Sequence, residues 1–191
     1  MHDIHKFRTI YKLKSVYRLN TVDDSRHESS AEHTWSAMVL ADYIFSKYPS
    51  QIGEGIDRFK VLELLMYHDL VEIYAGDTPL YPGAKPINQK KREGAAFHKL
   101  IGELPKSLSD KYTLLYDEFE ELKTPESRLA KAIEEMDSSL HELDCKNDWK
   151  GWSEEFLREK KTKYYSEYPF MMELFEEFLK YCNENKFFEQ Q

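Results

Sequence analysis

Val61-Leu62-Glu63-Leu64-Leu65-Met66-Tyr67-His68-Asp69-Leu70-Val71-Glu72 is the stretch on which the reading of this 191-residue chain turns. Val61, Leu64, Leu65 and His68 fall at i, i+3, i+4 and i+7, one face of an α-helix, so His68 continues an apolar stripe. An imidazole buried on such a face needs a polar partner. Asp69 follows it directly. Glu72 lies four residues after His68 and three after Asp69, which sets three ionisable groups on one side of the helix.

The same kind of signal recurs on both sides. Upstream, Ser29-Ser30-Ala31-Glu32 fits a capping box and predicts a helix to about Tyr48. Its apolar face carries Ala37, Leu40, Ala41, Ile44 and Tyr48, and His33 sits on that face four residues before Ala37. Downstream, helix character ends near Gly76, and Gly76-Asp77-Thr78-Pro79-Leu80-Tyr81-Pro82-Gly83 reads as a rigid loop. Thr124-Pro125-Glu126 is a helix start for a segment bearing Leu129, Ile133, Met136, Asp137, Leu140 and Leu143. Other helices are expected near 4–14, 87–104, 107–122, 153–164 and 169–186, with 15–26 as a loop. The fold class that follows is all-α: a single-domain helical bundle over 1–191 with its core motifs in 13–145. The helices of 153–186, rich in Phe170, Leu174, Phe175, Phe178 and Leu179, are expected to pack on the bundle or form a dimer interface.

Composition narrows the function classes. With 41% apolar and 32% charged residues the chain resembles an ordinary soluble globular protein. It has no apolar run of membrane-spanning length, and Met1 to Phe7 lacks the pattern of a secretory signal. A net charge of −8 argues against a nucleic-acid or anionic-membrane surface. A small anionic substrate stays compatible, because a metal and a few local cations set the field of a pocket. Cys145 and Cys182 form no CxxC pattern and read as reduced thiols, so the expected compartment is the cytoplasm.

His33, His68, Asp69 and Asp137 come from three predicted helices and together offer two nitrogens and two oxygens. That donor set suits one divalent transition metal, Mn, Co, Fe, Ni or Zn, and a helical bundle is a usual place for it. A divalent metal lowers the pKa of a water it binds, and a neighbouring carboxylate such as Glu72 can orient that water or move its proton. Each residue alone has a plainer reading. A single buried His is more often a hydrogen-bonded core residue, Glu72 could face solvent near a helix end, and Asp77 could cap a turn rather than point into a cleft. Trp35 reads as core or pocket wall, Lys90, Lys91 and Arg92 as a solvated helix face, and His141 as either support for the site or surface. His27 and Glu28 receive no role.

Taken in order, Ala31-Glu32-His33-Thr34-Trp35, Met66 to Glu72, Gly76-Asp77-Thr78-Pro79 and Glu135-Met136-Asp137 resemble the HD-domain phosphohydrolase superfamily. Within it, the small 5′-deoxynucleotidases are most similar, over about 13–168. The resemblance implies that His33, His68, Asp69 and Asp137 hold one metal and that Glu72 and Asp77 serve catalysis and substrate binding. It also implies that Arg18 contacts phosphate, a role suited to the planar guanidinium fork. Two features depart from the pattern. Leu19 stands where the bacterial enzymes place a Trp against the sugar, and the loop of 80–88 (LYPGAKPIN) varies beside the base pocket. The expectation is a cytoplasmic phosphomonoesterase of (deoxy)nucleoside 5′-monophosphates, a homodimer with a small-molecule nucleotide substrate and no nucleic-acid or membrane partner. The rivals are hydrolysis of another small phosphorylated metabolite and a non-catalytic nucleotide-binding module.

Overall fold

Helix α2 (Ser30–Lys47) starts where its capping box directs. Ser29 Oγ accepts from the Glu32 N–H, and the Glu32 carboxylate accepts from the Ser29 N–H at 2.9 Å, so two backbone donors that open the helix are satisfied. Thr124 caps α7 (Pro125–His141) in the same reciprocal way with Ser127. The computed structural model in which these contacts are seen describes residues 2–23, 25–83 and 88–189.

Helix α7 is the centre of the bundle. It packs against α2, α3 (Arg58–Tyr67), α6 (Lys106–Glu120), α8 (Glu154–Tyr165) and α9 (Pro169–Glu184). Buried Ala37, Ala41, Ala130 and Ala132 let backbones approach, while Ile44, Leu64, Leu65, Leu129 and Ile133 fill the space between them. A second apolar cluster, including Leu13, Leu70, Val71, Phe97, Leu100 and Tyr112, lies under α4 (Glu72–Ala75) and α5 (Gln89–Glu103). His68 to Val71 runs between the two clusters as a 3₁₀ turn, where both faces of the chain are buried. The expected all-α class holds, with one small two-stranded sheet among the described residues.

Three local expectations change. The segment read as a loop over 15–26 contains strand β1 (Tyr17–Val22), which pairs antiparallel with β2 (Arg26–Ser29). A lone hairpin is marginal in water, and this one is pinned to the bundle from outside. The Thr21 N–H and Oγ1 both donate to Asp148 Oδ2, at 2.9 and 2.6 Å, a long-range contact that no local pattern announces. The first helix is split into α1 (His2–Phe7) and 3₁₀ turns over Arg8–Ser15. The helix bearing His68 ends at Tyr67, and after the 3₁₀ turn a single further turn, α4, ends at Gly76 with φ +73°. That backbone favours glycine and swings the chain so that Asp77 leaves the helix axis.

Of the C-terminal apolar residues, Phe170, Phe175, Phe178 and Leu179 are buried in the main cluster, while Tyr181 is exposed. Both cysteines are free and buried. Among the described residues no helix is long and apolar enough to cross a membrane. Ile87, the expected start of the helix now labelled α5, lies with 84–86 outside the described residues, as does that part of the 80–88 loop.

Candidate metal centre and cleft

His33 is on the second turn of α2 and is fully buried. His68 opens the 3₁₀ turn, which places it opposite His33 with ring centroids 5.3 Å apart. Each ring is held by its Nδ1. His68 Nδ1 lies 2.7 Å from the Leu65 carbonyl oxygen, and His33 Nδ1 lies 2.9 Å from Asp137 Oδ2. Both Nε2 atoms are therefore turned toward the space between them, and neither has a hydrogen-bond partner. An Nδ1 tied to a carbonyl or carboxylate fixes the tautomer whose Nε2 lone pair is free to ligate.

Carboxylates complete the cluster. Ligand atoms of His33, His68 and Glu134 lie within 4.8 Å of one another, with Glu134 Oε1 3.7 Å from His33 Nε2. Asp69 Oδ1 is 3.0 Å from His68 Nε2 without hydrogen-bond alignment, and Asp69 Oδ2 is buried without a hydrogen-bond partner. Buried polar atoms normally find partners. Here two imidazole nitrogens and a carboxylate oxygen lack them side by side, next to a second carboxylate. These donors fit a divalent transition metal.

The structure brings one further carboxylate, Glu134, beside the histidines named from the sequence. Among the described residues, the ligand atoms lying within 4.8 Å of one another belong to His33, His68 and Glu134, and both Asp69 and Asp137 stand next to that group. Asp137 Oδ2 accepts from Ser36 Oγ at 2.7 Å and meets His33 Nδ1, on the far side of the ring from Nε2. Glu134, three residues earlier on α7, occupies the near side. Lys131 Nζ donates to Glu134 Oε2 at 2.7 Å, leaving Oε1 toward His33. The signal for Glu134 was present in the helical spacing: Ala130, Glu134 and Asp137 fall at i, i+4 and i+7, so both acids share one face. Spacing alone does not say which of the two reaches past the ring.

Burial disfavours charge on Glu134, but Lys131 and the nearby His33 imidazole outweigh it and hold the carboxyl well below the usual range. Burial and Arg18 oppose charge on His33, yet Asp137 and Glu134 carry its pKa up to about 10, so a metal ion at its Nε2 would displace a proton, whereas burial lowers the pKa of His68. Glu72 and Asp77 face the same cluster. Burial pushes both upward; Asp69 and Asp77 add to the effect at Glu72, and Arg18 opposes it at Asp77. Ser30 Oγ donates to Glu72 Oε2 at 2.6 Å and fixes that carboxyl beside the start of α2. A carboxyl held this way keeps a proton at higher pH than a free one and can pass it on.

Above the cluster opens a cleft of about 760 Å³. Arg18, Leu19 and Asn20 of β1 form one wall, and Phe119, Lys131 and Tyr164 form another, with Asp77 to Tyr81 across the mouth. Arg18 has a side chain only 10% exposed. Its Nη1 stands 3.7 Å from Asp77 Oδ1 and 3.9 Å from Asp69 Oδ2, beyond hydrogen-bond range of either. Leu19 is 53% exposed and borders the mouth. Trp35, expected in the core or on the pocket wall, is instead 65% exposed in a shallow surface depression with Tyr17 and Arg26. Arg92, read as a solvated cation, donates to Thr78 Oγ1 at 2.7 Å and ties α5 to the loop over the cleft.

The HD domain family profile matches residues 10–177, most of the chain. The chain is similar to a 5′-deoxynucleotidase of Erwinia tasmaniensis, 27% identical over 139 residues covering 71% of this chain and 68% of that one. A 5′-deoxynucleotidase of Yersinia pestis is 28% identical over 142 residues with the same coverage. Among solved structures, a predicted metal-dependent phosphohydrolase from Magnetospirillum magnetotacticum superposes with a TM-score of 0.82 at 24% identity, covering 97% of this chain and 96% of that one. A protein from Pyrococcus horikoshii matches with a TM-score of 0.59 at 22% identity over 86% of this chain and 94% of its own. These structural likenesses speak to the fold.

Proposed function

The chain belongs to the HD-domain superfamily of metal-dependent phosphohydrolases, and on that premise we propose that it cleaves the phosphate monoester of nucleoside 5′-monophosphates. One observation carries the reading: His33 Nε2, His68 Nε2 and Asp69 Oδ2 are buried without hydrogen-bond partners, and His68 and Asp69 line a cleft that Arg18 also lines. The 5′-deoxynucleotidases of Erwinia tasmaniensis and Yersinia pestis supply the substrate class for this proposal.

In this proposal His33, His68, Asp69 and Glu134 hold one divalent ion, and Asp137 orients His33 from behind. When bound, such an ion polarises a phosphoryl oxygen and lowers the pKa of water. The chain's own groups do the rest. Arg18 Nη1 donates to a non-bridging phosphate oxygen and offsets charge gathering there. Glu72, anchored by Ser30, takes or gives the proton that moves with water. Asp77 accepts from a sugar hydroxyl or protonates the leaving oxygen. Leu19 offers the sugar apolar contact without an aromatic face, so ribose and deoxyribose are both admitted.

The protein is proposed as one domain over 1–191, cytoplasmic and homodimeric. Light scattering measures the assembly. For the activity, the test is phosphate release from a panel of ribo- and deoxyribonucleoside monophosphates, after chelation and after adding back Mn or Co. Metal-dependent release supports the reading. Release only from other phosphorylated metabolites, or nucleotide binding with no release from anything, overturns it.

A further inference from the structure

The hairpin that carries Arg18 also carries Glu28, a carboxylate 3% exposed that neither the metal cluster nor the proton-moving groups use. Arg18 follows and Glu28 precedes the Tyr17–Ser29 pair, where the register of the two strands shifts, and their side chains meet there. Glu28 Oε2 lies 3.3 Å from Arg18 Nε, and its other oxygen is 3.8 Å from His141 Nδ1. On the second edge of the guanidinium, Nη2 donates to Ser138 Oγ of α7 at 3.0 Å. Nη2 is thus hydrogen-bonded from behind, and Nε, which has no hydrogen-bond partner, faces a buried carboxylate as an ion pair, so the planar group is drawn back at two edges. Nη1 alone is left toward the cleft.

The charges nearby show what this hold opposes. Asp69 and Asp77 stand 3.9 and 3.7 Å from Nη1, close enough to attract it and too far to bond it. A guanidinium free to swing would close onto them. It would then spend its cleft-facing donors on Asp69, a candidate ligand, rather than on an oxyanion.

We propose that Glu28 is a positioning residue: its buried charge beside Nε draws Arg18 back and keeps Nη1 off Asp69 and Asp77, poised for the phosphoryl group of the substrate. The inference rests on the reading of Arg18 as the phosphate contact. Its role is to preserve an anion site inside an acidic cleft.

The test measures binding of inorganic phosphate to the Mn-loaded chain by calorimetry, separately from turnover. Glu28→Gln is expected to weaken phosphate binding about tenfold, as losing the group behind a contact residue does. Arg18→Gln should weaken it at least as much, and the Glu28→Gln/Arg18→Gln double variant should match Arg18→Gln alone, because Glu28 acts through Arg18. Mn content and melting temperature, followed in every variant, separate repositioning from general damage. Glu28→Asp keeps the buried charge, withdraws it by one methylene and should show an intermediate loss; it carries the test if Glu28→Gln does not fold. Wild-type phosphate affinity in Glu28→Gln, or additive losses in the double variant, would overturn the proposal. Absence of nucleotide hydrolysis with the phosphate cycle intact would instead refute the proposed activity and leave the positioning role standing.

Discussion

Replacing Asp137 with alanine separates two roles that one carboxylate could play. His33 is fully buried, and its Nδ1 faces Asp137 Oδ2 at 2.9 Å. Ser36, the other partner of that oxygen, also lies 3.0 Å from the His33 carbonyl, so its hydroxyl keeps an acceptor when Asp137 is removed. The imidazole N–H does not. One orphaned buried donor costs about 1–3 kcal/mol. For a chain of this size that corresponds to a melting temperature roughly 2–12 °C lower. Loss of the group orienting a ligand histidine should also weaken metal binding about 10- to 100-fold without changing the donor set. Asp137→Asn, whose amide oxygen can still accept from Nδ1, should stay within a few-fold of wild type. Glu134→Ala removes a ligand and should alter the donor set itself. The assay is titration with Co(II), reading affinity from the curve and donor set from the absorption bands. If Asp137→Ala abolishes Co(II) binding while Glu134→Ala keeps wild-type affinity and bands, Asp137 is the ligand and the reasoning from ring orientation fails.

Three further outcomes follow from the same geometry. Glu72→Gln should retain metal, measured by elemental analysis, yet lose turnover by about 10²- to 10⁴-fold, the range of a lost proton-transfer group; undiminished turnover would remove Glu72 from the chemistry. Burial pushes the Glu142 carboxyl up to about 7 from 4.5. The folded chain therefore binds more protons than the unfolded one between those values, and this residue's contribution to stability falls as pH rises from 4.5 through 7. Because the residue is partly exposed, the effect is set at about 2 kcal/mol; Glu142→Gln should flatten that slope in urea melts at pH 5 and 8 and be the more stable protein at pH 8. Phe175, fully buried where α8 and α9 join the bundle, should cost about 3–5 kcal/mol on truncation to alanine, read as a lower urea midpoint at unchanged slope.

Much of this protein is written in local pattern. Helical spacing of apolar residues located α2, α3, α7, α8 and α9, and the caps at Ser29 and Thr124 placed two starts correctly, because caps and periodicity are interactions within a few residues of chain. The same periodicity put His33 and His68 on buried faces, which is why a metal centre could be anticipated before any coordinates. Where partners lie far along the chain, local pattern stops. The hairpin over 17–29 exists because Asp148 grips Thr21 across 127 residues. The division between Glu134 and Asp137 is of the same kind. Both project from one face of α7, and only the tilt of His33 against it decides which meets Nε2 and which meets Nδ1. Glu28 has no role in the local pattern, and only the strands bring it beside Arg18. The sequence by itself determined the helical class, the family and the kinds of atom brought to the centre, since each depends on residue type and short-range spacing. Tertiary structure alone decided which atom faces which, because a side chain's direction is set by packing between helices distant in sequence and differs by only a few ångströms between a ligand and its support.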